Sequence, residues 1–472
     1  MADQLTAFQS KYTAQEIESF FDDINNREFV PTIGEDGTWW INGKSTGVKA
    51  AGGGGGGDKY YGFIKQINNP DPFNRIKYIG KNKNFIVPAG MNYHDNVFQY
   101  GDWNDWFFLK GIHKCLLGYD GTVLKELDLN NATKDIDGNT FNPADTSLKG
   151  NIMIAFPKIY VKRGMSGQNS YHYFAKEKLD DDYECYAHHD HNGDEVPYFF
   201  YPAYEGSLVD GRLRSLSGQR PESGTTAQQE IDYALANNTA DSAIWYTRYY
   251  SADELLKDIG FLLGCSTNSQ SVYGYGHCDG GSGAGSLITT GALDKQPFFY
   301  GTTGNDSIKF LGMENYYADR WDRIAGLFND KGTQKVKLTW GQEDGSGVTG
   351  YNLDGSNYIT IPNSTPSGSN GGYISSTYTN KYGTFPISIN GSYSTYETDG
   401  CWFDNSQNNY ALAGGGCSSD GARCGLAFSH LSSGAGVGHW DVGASISCLP
   451  NLEKQQNDPI IKQWTKDYNN LI

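Results

Sequence analysis

Apolar positions fall into a few short patterns separated by long polar stretches. Ile17, Phe20, Phe21 and Ile24 recur at i, i+3, i+4 and i+7 behind Thr13 and Glu16 at capping-box spacing, which predicts a short helix with one apolar stripe. A helix of that length is marginal alone, so the stripe must pack against the rest of the chain or a partner subunit. Between Pro31 and Val48, Gly34, Gly37, Gly43 and Gly47 punctuate extended pieces carrying Trp39 and Trp40, the pattern of a small β-hairpin module. Further along, Phe85–Val87, Ile152–Val161, Lys335–Trp340 and Tyr358–Ile361 read as strands. The strongest helical signal is Ser251–Leu263: Ser251 and Glu254 form a capping box, Leu255, Leu256, Ile259, Leu262 and Leu263 form the stripe, and Gly264 stands at C′. A second helix is expected around Gln228–Ala236. After Pro450 the chain turns polar, with Ile460, Ile461 and Trp464 in a C-terminal arm.

Gly52–Gly57, six glycines in a row, is the clearest linker, since it has no side chains to bury. The expected organisation is therefore an anchor over 1–51, a Gly-rich linker over 52–75, a large domain over 76–449 and an arm over 450–472. Glycine supplies 60 of 472 residues, about 13% against a usual share of roughly 7%. Aromatic residues reach 14% and charged residues only 19%. That mixture points to a β-rich, loop-rich α+β fold; disorder conflicts with the aromatic content, and collagen with the lack of a three-residue glycine period. The segment Asp344–Ser394, rich in Gly, Ser, Thr, Asn and Tyr, suits loops with adaptable hydrogen bonding and stiff aromatic contact area.

The charge sum, 37 − 54 = −17, repels phosphate backbones and anionic membranes and argues against nucleic acid as a partner. No apolar run approaches the roughly 18–20 residues that span a bilayer, and the first residues lack a secretory leader pattern, so synthesis in a cytoplasm without membrane insertion is expected. Eight cysteines occur without a CxxC pair and read as small buried thiols.

Asp180–Glu195 (DDDYECYAHHDHNGDE) is the most metal-like segment, yet adjacent His188 and His189 point in different directions in any regular structure, and the Asp190–Asp194 run lacks the glutamate of an EF-hand loop. A solvated hairpin turn at His191-Asn192-Gly193-Asp194 is the simpler reading, so no metal or other cofactor is expected. Trp103-Asn104-Asp105 matches a calcium- and sugar-binding tripeptide of C-type lectins but lies near the start of the domain rather than its end. Gly414–Gly416 follows neither phosphate-binding glycine pattern, and the chain has no GxSxG, HExxH or kinase signature. No catalytic residue is assigned.

Two stretches carry a resemblance. KFLGMENYYADRWDRIAGL (Lys309–Leu327) and ALAGGGCSSDGARCGLAFSHLSSGAGVGHWDVGASISCL (Ala411–Leu449) resemble segments of large phage-borne domains with a C-type-lectin-like fold. Variable proteins of diversity-generating retroelements and formylglycine-generating enzymes share the second pattern. Further similarity runs through Ile76–Trp103, Asn151–Lys162, Leu213–Pro221 and Phe261–Gly281. The whole is similar to fibre and tail-tip proteins of gut bacteriophages, including the crAss-like kind, over about Ile76–Leu449.

The resemblance implies a non-enzymatic virion fibre protein, on head or tail, synthesised in the host cytoplasm. Ile17, Phe20, Phe21 and Ile24 would anchor it to other virion proteins (capsid, tail or a partner fibre subunit), and homotrimers are expected by analogy. It also implies a recognition surface on the last loops, where Cys417, Ser418, Ser419, Asp420, Arg423, Phe428, His430, Ser432, Ser433, His439, Trp440 and Asp441 would face a host-surface glycan or protein. The alternatives are a phage glycan depolymerase and a formylglycine-generating-type oxidase. In those oxidases two copper-binding cysteines stand as CxxxxC; here six residues separate Cys417 from Cys424, and the trailing GFR reads Val442-Gly443-Ala444.

Overall fold

The computed structural model describes residues 31–33, 38–41, 44–49, 58–239, 245–367, 371–406 and 410–471. The chain divides into two compact units, Met1–Lys59 and Tyr60–Ile472. In the first, the hairpin module is a three-stranded antiparallel meander of Pro31–Ile33, Thr38–Ile41 and Lys44–Lys49. The apolar stripe Ile17–Ile24 and the glycine run 52–57 lie outside the described residues.

The second unit is β-rich α+β: the described residues are 31% strand and 16% helix, so strands define the layers and helices fill between them. Its spine is a six-stranded sheet ordered 245–247, 446–448, 198–202, 150–157, 113–118, 123–127. The central strand Gly150–Pro157 (GNIMIAFP) is buried at every position, as a strand covered on both faces must be. The expected strand Ile152–Val161 breaks at Pro157: a second strand, Tyr160–Ser166, leaves for a four-stranded sheet ordered 160–166, 169–175, 61–66, 76–80. Tyr61–Gln66 is thus an inner strand of the large unit, and the residues 60–75 assigned to the linker belong to that unit. Phe85–Val87 forms no strand; Ile86 and Val87 stand exposed.

Helix Tyr250–Gly264 is buried almost all round. Its expected capping box is not formed: Ser251 Oγ donates to the Leu338 carbonyl, and Glu254 accepts from Thr384 N–H and Lys257. Gly264 is the last helical residue rather than C′, because a Cβ there would come within 2.8 Å of Val272, and Cys265 takes the left-handed position. Helix Ala227–Leu235 does carry a capping box, Thr226 with Gln229. The C-terminal arm forms helices Leu452–Asn457 and Pro459–Asn470, and Ile461 and Trp464 enter the core of the six-stranded sheet.

The last third builds a mixed sheet ordered 359–360, 333–336, 321–330, 410–414, 429–431, 400–403, 371–373, with 442–443 lying parallel to the start of 321–330. Strand 429–431 runs antiparallel to 410–414 and parallel to 400–403. The long loops 415–428 and 432–441, which follow strands 410–414 and 429–431, are those that the resemblance singles out.

Candidate functional site

Beneath these loops lies a frame of buried charge. Arg320 donates to the carbonyls of Gly206 and Glu222 and to Ser445 Oγ, and pairs with Asp322. Arg248 bonds Asp322 at 2.9 Å, pairs with Asp253 and lies 4.5 Å over the Tyr316 ring. Arg323 pairs with Glu230 and donates to the carbonyls of Thr225 and Val437. Each cation therefore has a carboxylate partner, and Arg320 and Arg323 have carbonyl partners as well, the condition for burying charge at tolerable cost. Backbone bonds finish the clamp on loop 432–441: Gly224 N–H donates to the His439 carbonyl and Ala227 N–H to that of Ala435.

Loop 415–428 starts with Gly415 and Gly416, both at φ +95°. A Cβ on Gly416 would lie 2.6 Å from Cys424 Sγ, so the glycines serve a tight turn over the cysteines. Cys417, Phe428, Trp321 and Val442 form a small core beneath it. Ser418 is buried too, its Oγ donating to the Gly281 carbonyl. Ser418, Phe428 and Cys417 are therefore removed from the recognition surface: the loop closes on Trp321 and turns these side chains inward. Cys417 and Cys424 are free thiols; Cys424 Sγ donates to the Cys417 carbonyl, and burial pushes both thiols up.

What remains at the surface falls into two groups. In the first, the Arg423 guanidinium lies 5.4 Å from the Tyr373 ring centroid and 5.2 Å from that of Trp402, and all three residues are half-buried. Asp420 stands three residues before Arg423 on the same loop and accepts from Cys417 N–H. Burial pushes its carboxyl up. Gly371, paired with Trp402 across the strands, could carry no Cβ: it would sit 2.0 Å from the indole, which lies flat on the glycine. Ser419 is exposed beside this group.

The second group is His439, Trp440 and Asp441. His439 is exposed, with Nδ1 bonded to the Asp441 carboxylate; Trp440 is half-buried, its ring 5.9 Å from that of His439. His430 packs edge-on against Trp321 at 5.0 Å, and burial lowers its pKa to about 4. Ser432 and Ser433 are half-buried on the same loop, Ser432 within 3.4 Å of His430 Nδ1. Tyr373 and Trp402 were not among the sequence candidates. The one available signal was the aromatic content of Asp344–Ser394, which covers Tyr373 alone.

A larger concavity, about 670 Å³, lies elsewhere, between Phe73, Tyr78, Phe85, Ile86, Met91 and Val272, and is an open groove lined by few titratable groups. The cavity under the mixed sheet, near Arg248 and Gly414, is only about 60 Å³, space for a water or two. Trp103 of the lectin-like tripeptide is core, its indole donating to Tyr78. No protein-family model matches the chain, and no curated protein is significantly similar to it.

Proposed function

We propose that this chain is a bacteriophage virion fibre protein whose second unit is a C-type-lectin-like domain that binds a host-surface glycan through its C-terminal loops. The observation that carries the reading is the Tyr373–Arg423–Trp402 stack with Asp420: half-exposed aromatic faces suit the apolar faces of sugar rings, and the carboxylate and guanidinium suit sugar hydroxyls. The loops are long but backed by paired buried charges, so the face is organised before it meets a ligand. Helices Ala227–Leu235 and Tyr250–Gly264 ahead of the mixed sheet, with strands 442–443 and 446–448 returning to earlier strands, support the lectin-like reading. The phage assignment rests on the sequence resemblance, as do the roles of the first unit as virion anchor and of a homotrimer. The oxidase alternative is weaker, because Cys417 and Cys424 are buried and the Cys424 thiol is aimed at a carbonyl.

The test is adsorption of the purified chain to host cells and to glycans extracted from their surface, beside a thermal melt. Trp402→Ala and Arg423→Ala should each weaken binding by roughly 30-fold, as central aromatic and arginine anchors do, with little change in melting. Trp440→Ala tests the second group in the same way. Normal adsorption by well-folded variants at all three positions would remove this face from the binding site, and release of free sugar during adsorption would favour a depolymerase.

A further inference from the structure

The segment Asp180–Glu195 folds in a way that its sequence does not advertise. Asp190 anchors a tight turn, its Oδ1 accepting from Asn192 and Asp194 N–H and its Oδ2 from Leu452 N–H, so it is occupied structurally. Closing that turn, His189 and Glu195 face each other as an antiparallel bridge pair, which places both side chains on one face. The short 3₁₀ turn Tyr186–His188 returns the chain so that Cys185 meets them, while His188 points away and packs on Phe199. Ligand atoms of Cys185, His189 and Glu195 all lie within 4.8 Å of one another.

We propose that Cys185, His189 and Glu195 form a zinc-binding site, with a fourth position open to water or an incoming ligand. Zinc takes thiolate, imidazole and carboxylate together, and tetrahedral bonds of ordinary length place S and N roughly 3.6 Å apart. Cys185 Sγ and His189 Nε2 are 3.8 Å apart, so the pair needs almost no movement to close on an ion. The outer groups suit the same role. His189 Nδ1 makes no hydrogen bond and lies 3.6 Å from Glu343 Oε1, a carboxylate a small shift from orienting a ligating histidine, and Lys158 and Tyr160 both donate to Glu195 Oε2, holding that carboxylate in place. Cys185 is buried and Glu195 half-exposed, which gives an entry path from solvent. Binding replaces the thiol proton with the metal and releases it to solvent. The site is separate from the aromatic face, and its test does not depend on host binding.

Cobalt(II) titration of the full chain, purified under reducing conditions, provides the readout. One cobalt per chain should give a thiolate-to-metal charge-transfer band with the visible absorption of tetrahedral cobalt, and one equivalent of zinc should bleach both and raise the melting temperature. Cys185→Ser should abolish the charge-transfer band, whereas Cys265→Ser, at the half-buried thiol, should keep it. Should Cys185→Ser fail to fold, His189→Gln carries the test and should weaken cobalt binding at least tenfold. A wild-type chain without the band, a band surviving Cys185→Ser, or unchanged affinity in folded His189→Gln overturns the site.

Discussion

His430 illustrates how one side chain ties the C-terminal loops to acid stability. Packed against Trp321, its imidazole is neutral until about pH 4, while in the unfolded chain it takes a proton near 6.5. Its contribution is whole above pH 6.5 and is lost as the pH falls from there towards 4, because only the unfolded state gains a proton in that window. Wild type should therefore lose on the order of 1–2 kcal/mol more than His430→Gln between pH 7 and 4.5, read from urea melts at each pH. At this scale the sequence was partly legible. The resemblance singled out Asp420, Arg423, His439 and Trp440 together with Ser418 and Phe428, but Phe428 packs on Trp321 and Ser418 bonds the Gly281 carbonyl, a difference set by the tertiary fold. Tyr373 and Trp402 reach Arg423 through pairing of strands 371–373 and 400–403, a register that no local pattern encodes.

Among elements, the C-terminal helix Pro459–Asn470 departs furthest from its expected part as a polar arm. Asp458 caps it with bonds to Ile460 and Ile461 N–H, and also accepts from Val123 N–H, tying the helix start to the six-stranded sheet. Trp464 then stacks on His113 with centroids 4.2 Å apart and planes within 6°. Trp464→Ala should cost about 3–5 kcal/mol in urea unfolding, the usual range for emptying a buried tryptophan site, whereas an exposed-arm tryptophan would cost almost nothing. Ile461, Trp464 and Tyr468 keep helical spacing in the sequence, so the face was readable; what it covers was not, because the sheet is drawn from residues 113–202, 245–247 and 446–448. The reverse holds for Ser251 and Glu254: their spacing matches a capping box, but tertiary partners Leu338 and Thr384 claim both side chains.

For the whole molecule, the division at Lys59 makes two truncations diverge. Removing residues 1–59 should leave the melting temperature of the remainder nearly unchanged and, on the fibre reading, abolish incorporation into virions. Removing 1–75 should unfold much of the four-stranded sheet, since Tyr61–Gln66 is paired on both sides, to 169–175 and to 76–80. Circular dichroism melts of both forms, with quantitative blotting of purified particles, check the pair; equal stability would restore the boundary to residue 76. The sequence located the glycine run but not the end of the linker, because strand 61–66 is held between 76–80 and a partner a hundred residues on, 169–175.

Strand Ile446–Cys448 lies inside the six-stranded sheet, between 245–247 and 198–202. A ribosome must therefore have made nearly 450 residues before that sheet can close, and strand 245–247 waits without its neighbour for some 200 of them. Partners so distant in sequence make for slow folding, and in the interval strands 198–202 and 245–247 present open edges to the crowded cell. Many copies translated together on one message would expose those edges side by side, so the yield of native protein should depend on growth temperature and on chaperone supply during synthesis more than on the stability of the finished fold.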